Sequence, residues 1–379
     1  MSRLLLIGLL LFGITGSSGC YYSHLARGQL ALLWARRPIE EARADPALPQ
    51  QTREMLGLVE SVRVFGRELG LAVGDQYTRY VDWPGDRIVT TLVRTRAGTL
   101  EAVPYRFPLV GALPYKGYFD FERAERAAER LRDESYDVCI SGVTAYSTLG
   151  WFDDPVTGPM TRRGADRLVE TILHELVHAT AFVPEEVAFN ESVAQFIGQE
   201  AAVRFFEALE VGSIEAPAGA WPSSARVRAL IEDRREIARV MLAFRDRLVE
   251  LEGHPDRARR RRIEEEEARA ELASLSLRVL SPERVARAAR LSDACLALRG
   301  TYVEDLPRHA AVLEALDGNL VSLIARLSLW SEEARSVEEF FVVGDDGRDR
   351  KADRVDALGG RSATGQLDHA FLDETPEDL

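Results

Sequence analysis

The stretch from Leu168 to Phe196, LVETILHELVHATAFVPEEVAFNESVAQF, limits what this chain can fold into more than any other. Within it His174, Glu175 and His178 spell H-E-x-x-H, and Glu191 follows thirteen residues after the second histidine. On an α-helix of about 3.6 residues per turn, positions i and i+4 lie about 40° apart, so both histidines project from one face and can grip one metal ion. Leu168, Val169, Ile172, Leu173, Leu176 and Val177 give that helix enough apolar surface to be buried. Buried histidines beside a buried glutamate need a partner, and a metal supplies one.

Neutral imidazole is a good zinc ligand, and two histidines with one carboxylate leave a fourth position open for water. Zinc lowers the pKa of such a water to about 7, and Glu175 is placed to take its proton as it attacks a carbonyl carbon. The expected chemistry is metal-assisted amide hydrolysis. A second helix must bring the third ligand. Pro184 suits a helix start because its missing N–H costs nothing there. Phe189, Val193, Phe196 and Ile197 give an apolar face from which Glu191 can reach the histidines. Glu185 and Glu186 compete for the ligand role, but they lie on or near the turn, where carboxylates serve a helix N-terminus.

A metzincin requires H-E-x-x-H-x-x-G-x-x-H. Here Ala181 stands at the glycine position and Pro184 at the last histidine, so that class fails. Asn190-Glu191-Ser192-Val193-Ala194 resembles instead the N-E-x-x-A element on the second zinc helix of gluzincin peptidases. The gap from His178 to Glu191 is shorter than in the thermolysin-type and large aminopeptidase patterns.

At the N-terminus, Arg3, an apolar run from Leu4 to Ile14 and Gly16-Ser17-Ser18-Gly19-Cys20 form a secretory signal too short to span a membrane as a mature helix. Cysteine directly after Ser-Gly resembles the bacterial lipobox, which implies that Cys20 becomes a lipidated N-terminus, although Ser17 stands where Leu is usual. Tyr21 after the cysteine, rather than Asp, implies sorting to the outer membrane. A net charge of −13 argues against nucleic acid and anionic membrane surfaces as partners of the chain as a whole. Cys139 and Cys295 are expected as buried free thiols, with a disulfide permitted by the compartment.

Periodicity makes Cys20 to Ala72 helical, broken at Pro46 to Pro49. From Tyr77 the pattern changes. Tyr77 to Val81, Ile88 to Arg94, Leu100 to Tyr105 and Tyr136 to Ser141 read as strands of a small antiparallel sheet, with Phe119 to Leu131 a helix. Ala145 to Pro155 is a candidate edge for an extended substrate or an aromatic loop over the core. Residues 201–252 and 264–299 are helical by periodicity, joined by the basic run Arg257 to Arg262, which meets Glu264 to Glu267 on an expected solvated face.

Cys20-Tyr21-Tyr22, Arg27-Gly28-Gln29, Ala35 to Ile39, Pro114 to Phe119, Ala145 to Pro155, His174 to Thr180 and Phe189 to Ala194 together resemble a family of bacterial predicted zinc aminopeptidases exported as lipoproteins. The resemblance implies His174, His178 and Glu191 as zinc ligands and Glu175 as base. That family tends to carry an Asn pair after a proline near the end of this region; here Pro307 is followed by Arg308 and His309. A donor for the developing oxyanion is required, and Tyr146, Tyr302 and His309 are candidates, Tyr146 also for substrate binding. An exopeptidase needs an acidic group for the free amine; Asp153, Asp154, Glu185 and Glu186 are at hand.

The expected fold is α+β and mostly helical, a small antiparallel sheet lying beside a two-helix zinc site of thermolysin-like architecture. The expected divisions are a signal at 1–19, a helical segment at 20–72, a zinc peptidase core at 73–205, a helical region at 206–343 and a disordered acidic tail at 344–379. The expected activity is that of a zinc metallopeptidase on a peptide substrate, with aminopeptidase specificity from the resemblance alone. A zinc endopeptidase, a cell-wall peptide amidase and a catalytically silent zinc lipoprotein are the alternatives. The expected location is the cell envelope, lipid-anchored on the periplasmic face of the outer membrane.

Overall fold

The computed structural model describes residues 17–108, 111–145, 154–298, 305–332 and 336–342, with residues 17–20 described by backbone alone. Tyr146, Tyr302, Asp153, the acidic tail, most of the signal, the Cys20 side chain and most of the 145–155 segment lie outside this description. The chain opens with α1 (Ser17–Trp34), β1 (Arg37–Pro38), α2 (Ile39–Ala44) and α3 (Gln50–Glu68). The expected break at Pro46 to Pro49 is a turn in which Asp45 accepts from the Ala47 N–H. Met55, Leu56, Val59, Val62 and Phe65 recur at helical spacing on α3 and are all buried.

Next come β2 (Arg79–Val81), β3 (Val89–Arg96), β4 (Tyr105–Phe107), β5 (Gly111–Leu113), β6 (Tyr115–Tyr118), α4 (Phe121–Asp133), β7 (Tyr136–Val143) and β8 (Val156–Thr157). Among the described residues three small sheets form rather than the single one expected. β6, β3 and β7 are antiparallel, with Leu92 between Lys116 and Ile140. Asp120 caps α4 by accepting from the Arg123 N–H, and α4 covers this sheet with Ala124, Ala128 and Leu131. β4 and β5 form a separate hairpin. In the third sheet β2 lies between β1, antiparallel, and β8, parallel. A parallel neighbour needs a long crossover, and the whole β3–β7 excursion supplies it. The strand expected at Leu100 to Tyr105 forms only from Tyr105. Leu100 leaves the sheet because its side chain is buried among the C-terminal helices and its N–H donates to Glu252.

The remainder is helical: α5 (Gly158–Arg162), α6 (Ala165–Thr180), α7 (Val187–Glu210), α8 (Ser224–Glu250), α9 (Arg257–Ser274), α10 (Pro282–Ala288), α11 (Asp293–Leu296), α12 (Leu306–Ala315), α13 (Leu320–Glu332) and α14 (Val337–Phe341). The chain is thus α+β and mostly helical. α6 and α7 pack side by side in the main core, with α3 against α6. A second core joins α8, α9 and α10. The basic run opens α9 instead of linking helices, and its expected solvated face is only partly realised. Arg257 and Arg261 turn inward to bind Asp293, which is 4% exposed, while Arg259, Arg260 and Arg262 stay at the surface. No helix among the described residues is long and apolar enough to cross a membrane.

Cys139 and Cys295 are not free thiols. They form a disulfide that ties β7 to α11. Asp137 prepares the pairing by accepting from the Ala294 N–H, which docks α11 on the strand. The bond closes a loop with a sequence separation of 156, and α6 and α7 lie inside it. Closing a loop above a hundred residues is worth about 4–5 kcal/mol in the chain-entropy account. Reduction is expected to lower the denaturant midpoint by that equivalent, and Cys139→Ser with Cys295→Ser should reproduce the shift without reductant.

Candidate metal centre

The site is made where α6 turns back as α7. α6 ends at Thr180, and its C-cap Ala181 is extended. α7 begins at Val187, so Pro184 precedes the helix instead of opening it; Glu185 takes a left-handed φ of 70° in the turn. Asn190 fixes this reversal. Its Oδ1 accepts from the Val183 N–H at 3.0 Å, and its Nδ2 donates to the Val183 carbonyl at 2.7 Å. With the turn clamped to the first turn of α7, the next residue, Glu191, faces α6.

A second feature brings the helices close enough. A Cβ on Gly198 would stand 3.1 Å from His174 Cβ and backbone N and 3.2 Å from the Glu170 carbonyl oxygen. A Cβ would fit there only with a shift of a few tenths of an ångström, so with glycine α7 lies directly on the turn of α6 that carries His174.

Glu191 Oε2 is 3.5 Å from His174 Nε2 and 3.6 Å from His178 Nε2. The two Nε2 atoms are 3.1 Å apart. Tetrahedral ligands about 2.0–2.1 Å from zinc stand about 3.3–3.4 Å from one another, so this triangle has the size such an ion needs. His174, His178 and Glu191 could therefore hold a metal ion, and the donor set of two imidazoles and one carboxylate suits it. Glu191 is 1% exposed. Burial alone would raise its carboxyl pKa, but hydrogen bonding and charge from His174 and His178 outweigh that and hold it well below the usual carboxylate range.

One turn back along the same seam, Glu170 is buried and accepts from Arg234 at 2.5 Å and Gln195 at 2.8 Å. Burial opposes its charge, yet Arg234, Arg167 and the two glutamines Gln199 and Gln195 lower its pKa. The polar seam thus continues beyond the triad, tying α6 and α7 to α8.

His309 does not belong to the centre. It is fully buried behind α7, where its ring lies against Phe189, Phe196, Phe340 and Phe341. Its Nε2 lies 3.0 Å from Ser192 Oγ, whose hydroxyl donates to the Phe189 carbonyl at 3.1 Å. That leaves Ser192 Oγ to accept from Nε2–H, and Nδ1 has no partner among the described residues. A buried ring with no access to substrate is no oxyanion donor. Tyr146 and Tyr302 lie outside the described residues. Glu185 and Glu186 are exposed on the α6–α7 turn.

The residue that sequence reasoning passed over is Tyr77, read there as the first residue of a strand. It is 3% exposed and holds a left-handed φ of 58°. Its N–H donates to the Asp154 carbonyl at 2.8 Å. Burial first, then the negative charges of Glu175 and Asp154, push its phenol well above the ordinary range, so it stays protonated. The only signal in the sequence is an aromatic residue at the head of a β segment, which is common in any core.

Burial, and then the charge of Arg308, push the His309 imidazole down to about 3 from 6.5. The unfolded chain therefore takes up a proton below 6.5 that the folded chain refuses until about pH 3. This contribution is complete above 6.5 and is lost as pH falls, at up to about 1.4 kcal/mol per pH unit. Denaturant titrations from about pH 6 to about pH 4 should show that slope in the wild type and a shallower one in His309→Leu.

The family model described as "Putative aminopeptidase" matches residues 20–339. No curated protein and no solved structure matches the chain.

Proposed function

Because the chain belongs to the aminopeptidase family that residues 20–339 match, we propose that it is a zinc-dependent metallopeptidase that removes residues from the free amino end of peptides. The observation that carries the zinc reading is the triangle of His174, His178 and Glu191, with Glu175 next to the first ligand on α6. In this reading the site is thermolysin-like in its parts: an H-E-x-x-H helix, and a glutamate from the following helix.

Zinc, when bound, supplies Lewis acidity that polarises a carbonyl and acidifies water. The chain's own groups do the rest. Glu175 is the general base that accepts a proton from the attacking water and passes it to the departing amine. Glu191 keeps its charge through its histidine contacts, so the ligand set includes one anionic carboxylate. Tyr77 keeps its phenolic proton, because burial first and then the charges of Glu175 and Asp154 oppose its loss. Exposed Glu185 and Glu186 on the α6–α7 turn are available to a substrate's free ammonium.

In the same proposal the protein is exported and anchored through a lipid on Cys20. The Cys139–Cys295 disulfide supports export, since such bonds persist in oxidising compartments.

Fluorogenic peptides with free amino ends, assayed beside N-acetylated twins on the zinc-loaded protein, test the activity. Cleavage of the free-amine set alone, abolished by Glu175→Gln with zinc retained, is the expected result. Equal cleavage of both sets would instead mean an endopeptidase, and no cleavage by a zinc-loaded chain would favour an amidase or a silent zinc protein.

A further inference from the structure

The inner face of α1 is fixed to the body of the protein. The Tyr21 hydroxyl donates to the Gly117 carbonyl, His24 Nε2 accepts from the Phe119 N–H, and Leu32 is fully buried. The Phe119 ring occupies the space where a Cβ on Gly28 would be, which makes this a close and rigid seat.

The outer face has an unusual composition. Exposed positions recur in pairs, 22–23, 26–27, 30–31 and 34–35, one pair per turn. Tyr22, Ala26, Leu30 and Trp34 form a single i, i+4 line along it, with Tyr22 37%, Leu30 44% and Trp34 81% exposed. Arg27 is the one charged residue in those pairs. Elsewhere the chain is strongly acidic, with 61 Asp and Glu residues, yet none occurs before Glu40, while Arg3, Arg27, Arg36 and Arg37 do. Lys116 adds a further cation at the Tyr21 end, 4.0 Å from that ring centroid.

What covers this face follows from what precedes it. The apolar run from Leu4 to Ile14 ends just before α1 begins at Ser17. A lipid on Cys20 or a retained apolar segment each delivers the first turn of α1 to a lipid surface. A helix face that is apolar, carries Arg27 and has no acid of its own complements the boundary of an anionic bilayer, where Trp and Tyr concentrate.

We propose that α1 lies along the bilayer with the Tyr22–Ala26–Leu30–Trp34 ridge in the headgroup region of a membrane containing anionic lipid. The ridge is about 18 Å long at about 1.5 Å per residue, so it sets an orientation rather than a point of attachment. Because α1 is seated rigidly on the β3–β6–β7 sheet side, the whole body takes a fixed attitude to the membrane instead of swinging on a tether. This proposal rests on the reading that the N-terminal segment reaches a membrane, and it is independent of peptidase activity.

The full chain, purified in detergent and reconstituted into vesicles of phosphatidylethanolamine and phosphatidylglycerol with brominated acyl chains, tests it through tryptophan quenching. Five tryptophans are present, so Trp34→Phe leaves four as an internal background. The expected result is quenching in the wild type and loss of that quenched component in Trp34→Phe. Flotation of the chain with no quenching assigned to Trp34 would overturn the proposal while leaving the anchor intact. Quenching by a chain whose mass shows no lipid on Cys20 would uphold the proposal and refute the anchor. A dimer in sedimentation that Trp34→Asp converts to monomer would overturn it in favour of a second copy on this face.

Discussion

The buried Glu191 carboxylate between two imidazoles is the interaction on which the rest of the structure depends. A charge that is 1% exposed costs several kcal/mol unless it is met by partners of fixed geometry. Meeting it requires α6 and α7 to be in one register and at one spacing. Gly198 sets the spacing, because a Cβ there would crowd the backbone at His174 and push the helices apart by a few tenths of an ångström. Asn190 sets the register by holding both polar groups of Val183. Glu170 and Arg234 repeat the demand one turn away, where a second buried carboxylate is neutralised from α8. The seam is polar along its length and surrounded by apolar packing. It specifies one alignment of three helices where an apolar seam would tolerate several.

The β elements serve this seam by delivering backbone to its open side. β8 pairs in parallel with β2, and the chain leaves β8 through α5 directly into α6. At the head of β2 the chain makes a costly turn, with a tyrosine in the left-handed region at about 1–3 kcal/mol. The turn is held from three directions: Tyr77 N–H to Asp154, Thr78 N–H to Asp75, and Ile39 N–H to the Thr78 carbonyl. The side chain so held is part of the main core, which fixes the turn against the packing of α3 and α6.

The parts legible in the sequence were those carried by local periodicity or by a motif with tight spacing. The apolar repeat around His174 gave α6, and the gap to Glu191 required a turn and a second helix, which the structure supplies as α7. What stayed hidden depended on contacts distant in the chain. Leu100 looked like strand until Glu252 and the α8–α10 core drew it away. The arginines of α9 looked solvated, since nothing nearby announced that Asp293 was buried beside them. Cys139 and Cys295 could be paired only once β7 and α11 were known to touch. His309 looked like a donor because a histidine carries no mark of its burial; four phenylalanine rings decide it.

Seam and site are the same object, and this couples metal binding to stability. A ligand that binds only the folded state stabilises it in proportion to the logarithm of its concentration over its dissociation constant. On the proposed reading zinc does so at the contact that already fixes α6 against α7. Histidine ligands must be neutral to bind, so protons compete with the metal. Glu191 adds little to that competition, because its imidazole contacts hold its pKa well below the usual carboxylate range. Acid would therefore release the metal, and with it the stabilisation that binding adds at the α6–α7 contact.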